Sequence, residues 1–469
     1  MKNIAIVDNK HSILFSELSG IVCKTAQYYF DKGVTPFSKV AILGYNSAEY
    51  VIAIYSIWKL GAIPVPINIR LKDIEINSIL KSAQCSNIIV DRAFQNVEID
   101  LSAIEMNLII EGANYKFTHD VFPNDTAVII HTSGSSGMPK GVETTNENLY
   151  HSYLSVTDSF HFLNSDVFLA SLPFYHIGGF SIINRAILSG GMLVIPKSLK
   201  HSDIAYSMID DKVSVVSLVP TMLKRIINDG IKPNKELRCL FLGGGASSNN
   251  LIYSATNLKW PIIKVYGSSE TTAMVTACWG NDLSLFPNSA GKTLSGVLIT
   301  ILDNSYNEVE IGVVGEIAIK SKTIAKGYLN LSTSWSDKIH NGYYLSGDYG
   351  YLDETKKLFV VARRTDLIVS GGENIDPREI ESILNEHPNI LESFVFPIED
   401  KEWGEIPVAL IVLNNNSITK IQIVDYLRLN IASYKIPKNI QFINTIPKTE
   451  LGKVNINVVK NIFNNLTNN

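Results

Sequence analysis

Short apolar runs alternate with helix-length stretches over roughly the first 285 residues of the chain. Eight runs predict buried strands, because they are rich in Val, Ile and Leu and most end at Gly, Pro or a small polar residue: 39–44, 87–91, 127–132, 167–173, 192–196, 213–220, 237–245 and 262–267. The segments between several of them predict helices: 48–60, 72–82, 146–158 and 247–256. This alternation predicts an α/β architecture with mostly parallel sheets, which bind ligands at the carboxyl ends of their strands.

The pattern changes twice towards the end of the chain. After about residue 285, "GVLITILDNSYNEVEIGVVGEIAIKS" alternates short strands with turns, which predicts a small antiparallel or barrel-like unit. From 364 a second unit begins: a helix at 376–386, the strands "ESFVFPI" and "VALIVL", a helix at 417–431 and the strand "IQFIN" follow in this order. We therefore expect a large domain, residues 1–364, with two mostly parallel α/β subdomains and a small β-barrel-like subdomain. A small α+β domain, residues 365–469, follows it.

Composition narrows the class of protein. A length of 469 residues exceeds one hydrophobic core, which supports more than one domain. The net charge of −4 and the lack of basic runs exclude a nucleic-acid partner. The four cysteines form no C-x-x-C pair, so they indicate neither a zinc site nor a disulfide framework and suit the cytoplasm: Cys23, Cys85, Cys239 and Cys278.

One stretch, "YVIAIYSIWKLGAIPVPINI", is apolar enough to suggest a membrane span. However, Lys59 falls within it and Pro64 and Pro66 follow, so an uninterrupted span of about 20 residues is missing. A buried helix running into a buried strand is the better prediction, and we expect no transmembrane segment.

The stretch "HTSGSSGMPKGVETT", residues 131–145, has a composition unlike that of a core helix or strand. Its glycines allow the backbone to approach a ligand closely and to point N–H groups into one concavity. Hydroxyl side chains and the charge of Lys140 would add to a site for a polyphosphate. The spacing G-x-x-G-x-x-K-G differs from that of the Walker A loop. From the residues alone, a solvated surface loop remains the alternative.

"TSGSSGMPKG" resembles the signature loop of the adenylate-forming superfamily, which includes acyl- and aryl-CoA synthetases, peptide-synthetase adenylation domains and luciferases. Eight further strings resemble this superfamily in the same order: "LPFYHIGG" (172–179), "LVPTML" (218–223), "LGGGA" (242–246), "VYGSSETT" (265–272), "GEIAIKSKTIAKGYLN" (315–330), "GYYLSGDYGYLD" (342–353), "RRTDLIVSGGENIDPREIE" (363–381) and "IPKTELGK" (446–453). The resemblance implies a reaction in two halves. A carboxylate attacks the α-phosphate of ATP to give an acyl-adenylate and pyrophosphate, and the thiol of coenzyme A then displaces AMP.

The resemblance also assigns nucleotide-binding residues. Glu270 is similar to the superfamily's Mg²⁺ carboxylate, a hard oxygen ligand. Asp348 and Arg363 correspond to the residues that reach the ribose hydroxyls. The β- and γ-phosphates are expected to lie against Thr132, Ser133, Gly134, Ser135, Ser136, Gly137 and Lys140. Tyr266 and the glycine run, residues 243–245, are expected to line the adenine slot. The nucleotide-binding residues of these two stretches, including the neighbours of Tyr266 and of the glycine run, are Gly243, Gly244, Gly245, Ala246, Gly267, Ser268 and Ser269.

Further roles follow from the same resemblance. Lys453 is similar to the catalytic lysine that bridges the attacking carboxylate and the α-phosphate, where an ammonium favours the developing charge. His176, catalytic by the same comparison, borders and gates the acyl pocket together with Gly178 and Gly244. The small domain would be mobile, with its pivot at Thr365. The turn Gly371-Gly372 would border the pantetheine channel, although a plain β-turn is compatible with these residues.

Five strings look most like the o-succinylbenzoate–CoA ligase branch of the superfamily, which serves menaquinone biosynthesis: "HIGGFSI", "SLVPTML", "LRCLFLGGG", "RRTDLIVSGGEN" and "DKEWGE". The substrate of that branch is an aromatic keto-diacid, and Arg185 is the candidate for binding its second carboxylate. A helix-surface arginine is the alternative reading of Arg185.

Three other functions stay open at this point. Medium- or long-chain fatty acyl-CoA synthetases and other aryl-CoA synthetases share most of these strings. A carrier-protein-loading adenylation enzyme is a further possibility, although "SGGENI" is more ligase-like. A silent nucleotide-binding protein would have no chemical need for Lys453. The sequence also allows a homodimer.

Overall fold

Two compact units account for the fold of the chain. The computed structural model describes residues 3–116, 122–132, 139–245, 247, 249–362, 368–414, 418–447, 454 and 456–467. The first unit comprises Met1–Ile69, Leu80–His131 and Gly141–Thr365. The second comprises Arg70–Ile79, Thr132–Lys140 and Asp366–Asn469. Because two short segments from earlier in the chain group with the second unit, no single position in the sequence divides the two units. The functional domains 1–364 and 365–469 stay a prediction.

Strands and helices are numbered here in chain order. The strands are β1 (Ile4–Val7), β2 (Ser12–Leu14), β3 (Lys39–Leu43), β4 (Ile63–Pro66), β5 (Asn87–Val90), β6 (Ala103–Glu105), β7 (Thr126–Thr132), β8 (Lys140–Thr145), β9 (Val167–Leu169), β10 (Met192–Val194), β11 (Val215–Leu218), β12 (Cys239–Leu242), β13 (Ile262–Ser268), β14 (Ala273–Trp279), β15 (Lys292–Thr293), β16 (Val297–Leu302), β17 (Gly315–Ser321), β18 (Gly327–Tyr328), β19 (Ile339–His340), β20 (Tyr343–Leu352), β21 (Leu358–Ala362), β22 (Ile368–Ser370), β23 (Glu373–Ile375), β24 (Ile390–Asp400), β25 (Gly404–Leu413) and β26 (Asn439–Phe442). The helices are α1 (Phe15–Asp31), α2 (Ala48–Lys59), α3 (Asp73–Ala83), α4 (Asn146–Phe160), α5 (Ile177–Leu188), α6 (His201–Asp210), α7 (Pro220–Asn228), α8 (Asn249–Asn257), α9 (Gly280–Leu285), α10 (Ser332–Ser336), α11 (Pro377–Glu386), α12 (Lys420–Asn430) and α13 (Ile456–Thr467). The predicted elements are therefore present, with ends shifted by a few residues.

Parallel pairing dominates two sheets of the first unit. The nine-stranded sheet has the order β15-β14-β13-β12-β11-β9-β10-β1-β2 and is parallel from β13 to β1. Antiparallel strands extend it at both ends. The four-stranded sheet β4-β3-β5-β6 is parallel throughout. The α/β expectation is confirmed for this unit.

The two faces of strand β12 explain why the strand runs are continuously apolar. Cys239 and Phe241 lie in one hydrophobic cluster, together with side chains of α1, α2 and α5. Leu240 and Leu242 lie in another cluster, with side chains of α6, α7 and α8. Since successive side chains of a strand point to opposite faces, a sheet covered by helices on both faces needs apolar residues at every position.

The apolar stretch that suggested a membrane span is the helix α2 followed by strand β4, as expected. The hydroxyl of Ser47 caps α2 by accepting a hydrogen bond from the backbone N–H of Tyr50. Among the described residues, no helix is long and apolar enough to cross a bilayer.

The chain around the glycine-rich loop differs from the expectation in two ways. Strand β7 lies in a separate three-stranded sheet, in the order β18-β8-β7, rather than in a parallel sheet. In addition, residues after the loop form strand β8, whose Val142 is buried and pairs with Tyr328 of β18. The β-branched Val142, Thr144 and Thr145 suit a strand, a signal that the glycines and serines obscured. Thr145 then begins α4 through a capping box with Asn148.

An antiparallel sheet follows after residue 285, as predicted. It has five strands in the order β16-β17-β20-β19, and β21 also pairs with β20. In the second unit, β23-β22-β25-β24 form an antiparallel path and β26 pairs in parallel with β25. Helices α11 and α12 contribute Ile380, Leu384, Ile423 and Leu427 to the core of this α+β unit.

A buried ion triplet lies in the second unit. The ammonium of Lys435 is 2.6 Å from a carboxylate oxygen of Glu75 and 2.6 Å from one of Glu379. All three side chains are at least nine-tenths buried. The two carboxylates outweigh the desolvation of Lys435 and raise its pKa. Lys435 therefore keeps its positive charge at neutral pH.

We expect the substitution Lys435→Ala to destabilise the second unit by about 3–5 kcal/mol, because it leaves two buried carboxylates without their cation. Hydrogen exchange of β24 and β25, measured by mass spectrometry, should become faster by roughly 10²-fold or more. Lys438→Ala is the matched control, since Lys438 is exposed on the same segment. Equal exchange in the two variants would contradict the role of the triplet.

Candidate active site

One edge of the nine-stranded sheet carries many of the predicted site residues. Strands β13, β12, β11 and β9 are neighbours and run parallel, so the loops at their carboxyl ends leave from the same edge. These loops contribute His176 and Gly178 after β9, the glycines 243–245 after β12, and the segment 267–270 at the end of β13. The sheet thus brings the predicted adenine, metal and acyl residues to one edge.

The glycine run after β12 lies tightly against its neighbours. A Cβ at Gly243 would be 2.7 Å from the side chain of Val265 on β13. Gly244 has a φ of +75° and is exposed. The result is a bare stretch of backbone at the sheet edge, which suits the predicted contact with a flat base.

A tight hairpin between β13 and β14 holds Glu270. A Cβ at Gly267 would be 1.8 Å from the carbonyl oxygen of Ala273, so the two strands approach closely. The hydroxyl of Thr271 accepts from the N–H of Ser268 at 2.8 Å and donates to the carbonyl of Ala273 at 2.8 Å. Thr272 and Ala273 have φ values of +50° and +82°. This constrained turn places Glu270, which is 6% exposed, at a defined position.

The carboxylate of Glu270 accepts a hydrogen bond of 2.8 Å from the hydroxyl of Tyr328. A phenol is neutral, so this contact orients the carboxylate without cancelling its charge. Mg²⁺ prefers carboxylate oxygens, and Glu270 offers one in a buried position. The donor chemistry therefore fits the metal that the sequence predicts. Sequence reasoning missed Tyr328, although it lies within the quoted string "GEIAIKSKTIAKGYLN".

The predicted adenine and ribose residues contact each other directly. Tyr266 donates from its hydroxyl to a carboxylate oxygen of Asp348 at 2.7 Å. The N–H of Asp348 also donates to the hydroxyl of Ser346. Two residues predicted for adjacent parts of one nucleotide thus lie side by side, although they are 82 positions apart in the sequence.

The loop that leads to His176 is held by Asn46, another residue that sequence reasoning missed. The amide of Asn46 donates to the carbonyl of Leu172 at 2.8 Å, and its oxygen accepts from the N–H of Phe174 at 3.0 Å. A Cβ at Gly179 would be 2.0 Å from the carbonyl of Pro173, so α5 also packs closely on this loop. His176 precedes the first residue of α5, and its ring contacts that of Tyr175.

Arg185 is a buried residue of α5, so its interpretation as a helix-surface arginine is wrong. Its side chain is 3% exposed and lies over the ring of Phe241, 5.6 Å from the ring centre. Two guanidinium nitrogens, Nε and Nη2, have no hydrogen-bond partner among the described residues. Burial lowers the pKa of Arg185 to about 10, so the group is still charged at neutral pH. A buried cation of this kind requires an anion.

Comparison with known proteins identifies the family of the chain. Residues 1–329 match the family described as AMP-binding enzyme, and residues 379–453 match the AMP-binding enzyme C-terminal domain. The chain belongs to the AMP-binding enzyme family.

Individual AMP-binding enzymes cover nearly the whole chain. The 2-succinylbenzoate–CoA ligase of Bacillus licheniformis is 31% identical and covers 96% of this chain and 95% of its own. A double mutant of o-succinylbenzoate CoA synthetase (MenE) from Bacillus subtilis, bound with the product analogue OSB-NCoA, superposes with a TM-score of 0.93. It is 29% identical and covers 98% of this chain and 95% of its own. The same Bacillus subtilis enzyme in complex with ATP and magnesium ion is 30% identical, with a TM-score of 0.74 and coverages of 97% and 96%.

The other predicted site residues of this AMP-binding enzyme lie at the ends of strands, in a turn, or outside the residues that the structure describes. Thr132 ends β7 and Lys140 begins β8. Gly371 and Gly372 form the turn between β22 and β23, with φ values of +59° and +92° that favour glycine. Nine predicted residues fall outside the described residues: Ser133, Gly134, Ser135, Ser136, Gly137, Ala246, Arg363, Thr365 and Lys453. Their roles stay predictions.

The contact between Tyr266 and Asp348 generates a test. We expect Tyr266→Phe to keep the ring but to weaken AMP binding about tenfold, because Asp348 loses a charge-assisted hydrogen bond. Isothermal titration calorimetry with AMP gives the dissociation constant. Tyr253→Phe, on the exposed surface of α8, is the control. Unchanged affinity in Tyr266→Phe would show that the contact has no part in nucleotide binding.

Proposed function

We propose that this chain is an ATP-dependent acid–CoA ligase that activates o-succinylbenzoate in menaquinone biosynthesis. Its substrates are the carboxylic acid, ATP and coenzyme A, and Mg²⁺ accompanies ATP. The acid attacks the α-phosphate, forming an acyl-adenylate and releasing pyrophosphate. The thiol of coenzyme A then attacks the acyl carbon, forming the thioester and releasing AMP.

In the first half-reaction, the protein has to position two anions and offset their charge. The loop from Thr132 to Lys140 would bind the β- and γ-phosphates. Glu270 would hold Mg²⁺, whose chemistry there is to neutralise phosphate charge. Asp348 and Arg363 would hold the ribose. Lys453 would bind both the attacking carboxylate and the α-phosphate and so bring them together.

The second half-reaction would use a different face of the same small domain. The functional domain boundary at 364/365 and the pivot at Thr365 belong to this proposal. Rotation about the pivot would move Lys453 away from the acyl-adenylate and bring the turn Gly371-Gly372 beside it. The positive φ values of this turn support a close approach of backbone to the pantetheine chain.

Arg185 is the observation that carries the choice of substrate. o-Succinylbenzoate has two carboxylates, and one of them keeps its negative charge when the other is activated. Two nitrogens of the buried Arg185 guanidinium have no hydrogen-bond partner in the part of the chain that the structure describes, which supports bidentate binding of that second carboxylate. A simple fatty acid has no group that would satisfy this cation. The names of relatives such as that of Bacillus licheniformis support the same choice.

The proposal includes two further points. Four free thiols, three of them buried, and the need for ATP and coenzyme A support a location in the cytoplasm. A homodimer stays a prediction, for which light scattering coupled to gel filtration gives the mass in solution.

The decisive experiment is pyrophosphate release with ATP, Mg²⁺ and coenzyme A across a panel of acids. The panel contains o-succinylbenzoate, substituted benzoates, octanoate, palmitate and amino acids. Dominant turnover of o-succinylbenzoate, with the thioester identified by mass spectrometry, supports the proposal. Preference for a fatty acid or a simple aryl acid would show that o-succinylbenzoate is not the substrate. Labelling of an added carrier protein instead of coenzyme A would identify a carrier-loading enzyme. The lack of pyrophosphate release with every acid would favour a catalytically silent nucleotide-binding protein.

Arg185 allows a sharper test of substrate choice. We expect Arg185→Met to lower kcat/KM for o-succinylbenzoate by roughly 10²-fold or more, equivalent to about 3 kcal/mol. Turnover of 4-oxo-4-phenylbutanoate, which lacks the benzoate carboxylate, should change little. Stability should stay equal or rise, because methionine replaces a buried cation with two nitrogens that lack a partner among the described residues.

Arg428→Met, at an exposed position of α12, controls for the loss of an arginine as such. Equal losses with both acids in the Arg185 variant would contradict a contact to the second carboxylate.

Lys453 is tested by separating the half-reactions. We expect Lys453→Ala to reduce adenylation, measured as pyrophosphate release, by roughly 10²-fold or more, because its charge would act in that transition state. Thioester formation from a supplied acyl-adenylate should be largely retained. Lys460→Ala, exposed on α13, is the control. Equal loss of both half-reactions would exclude this role.

A further inference from the structure

The segment 325–328 holds Glu270 at both its backbone and its side chain. The N–H of Ala325 donates to the carbonyl of Glu270 at 2.8 Å. The hydroxyl of Tyr328 donates to a carboxylate oxygen of Glu270 at 2.8 Å. Glu270 and Tyr328 are 6% and 4% exposed, so this contact is shielded from water. The first contact fixes the backbone of Glu270, and the second orients its carboxylate.

Tyr328 is itself fixed by the strand that leaves the glycine-rich loop. It pairs with Val142 of β8, two residues after Lys140. The N–H of Leu329 donates to the carbonyl of Gly141 at 2.8 Å, which extends the same pairing. Strand β8 therefore holds strand β18, on which the tyrosine lies, by backbone pairing.

An aromatic pair sets the orientation of the phenol ring. The ring of Trp335 meets that of Tyr328 edge to face, with 5.1 Å between centroids and 85° between planes. Trp335 in turn stacks on Tyr344 of β20, at 5.4 Å and 20°. Val142, Ala325 and Tyr328 form a small buried cluster against Trp335. The hydroxyl of Tyr328 is thus aimed at Glu270 by packing on two sides.

We propose that Tyr328 is a positioning residue, which orients the Glu270 carboxylate for the divalent cation that accompanies ATP. The inference rests on the proposed function in one respect, the role of Glu270 as a metal ligand. The phenol occupies one lone pair of the carboxylate and leaves its negative charge intact. Residues that hydrogen-bond to metal ligands typically change metal affinity by 10- to 100-fold when they are replaced.

The test is Tyr328→Phe, which removes one hydroxyl and keeps the ring that packs on Trp335. Mn²⁺ is the probe, because its paramagnetism reports binding directly. We expect the affinity of the enzyme for Mn²⁺·ATP, from water proton relaxation, to fall about 10- to 100-fold. Binding of AMP without metal, measured by calorimetry, should change less than about twofold. Tyr29→Phe is the control, since Tyr29 is a fully buried tyrosine of α1.

A double-mutant cycle with Glu270→Gln separates positioning from packing. In the Glu270→Gln background, Tyr328→Phe should have little further effect on Mn²⁺·ATP affinity, since the hydroxyl acts through the carboxylate. Additive losses, or an equal loss of AMP binding, would assign Tyr328 a merely structural role. Unchanged Mn²⁺·ATP affinity in the single variant would also overturn the proposal. If o-succinylbenzoate is not activated but Mn²⁺·ATP binding still depends on Tyr328, the proposed substrate is wrong, whereas the positioning role of Tyr328 stands.

Discussion

The parallel alignment of β9, β11, β12 and β13 is the constraint on which the candidate site depends. Parallel strands require crossover connections, and here helices supply them and cover both faces of the sheet. The consequence is that four loops start from one edge, where their polar groups are not buried in the sheet. Apolar burial on both faces keeps that edge rigid, so a small set of loop residues can be held in defined positions.

Charged groups are treated differently in the site and in the scaffold. In the scaffold, buried charges meet opposite charges: Lys435 contacts Glu75 and Glu379, and Asp166 accepts from the half-buried Arg238 at 2.8 Å. In the candidate site, Glu270 and Asp348 each accept from a tyrosine hydroxyl, which orients a carboxylate without neutralising it. Arg185 is buried, and two of its nitrogens have no hydrogen-bond partner among the residues that the structure describes, at a cost in stability. The tyrosine contacts therefore orient the two carboxylates and add no charge to the site.

Local sequence signals predicted most of the elements and the residues of the hairpin and glycine run. Apolar runs that end at glycine or proline identified the strands, and Lys59 with two prolines correctly argued for a buried helix and strand. Strand β8 was missed because glycine, serine and proline dominate the stretch before it, while only Val142 and two threonines indicate a strand. Arg185 could be placed on a helix from its spacing. Its burial depends on what packs against that helix, so the surface alternative could not be excluded.

Residue chemistry and spacing along the chain were sufficient for the class of fold, the family resemblance and the kinds of groups that the site needs. These are properties of short segments, so a linear sequence contains them. The partners of those groups were decided in three dimensions. Tyr328 meets Glu270 across 58 positions, and Asn46 meets Phe174 across 128. Such pairs depend on strand order and helix packing, which no local pattern specifies, because the free energy that selects them comes from burying surfaces distant in the chain.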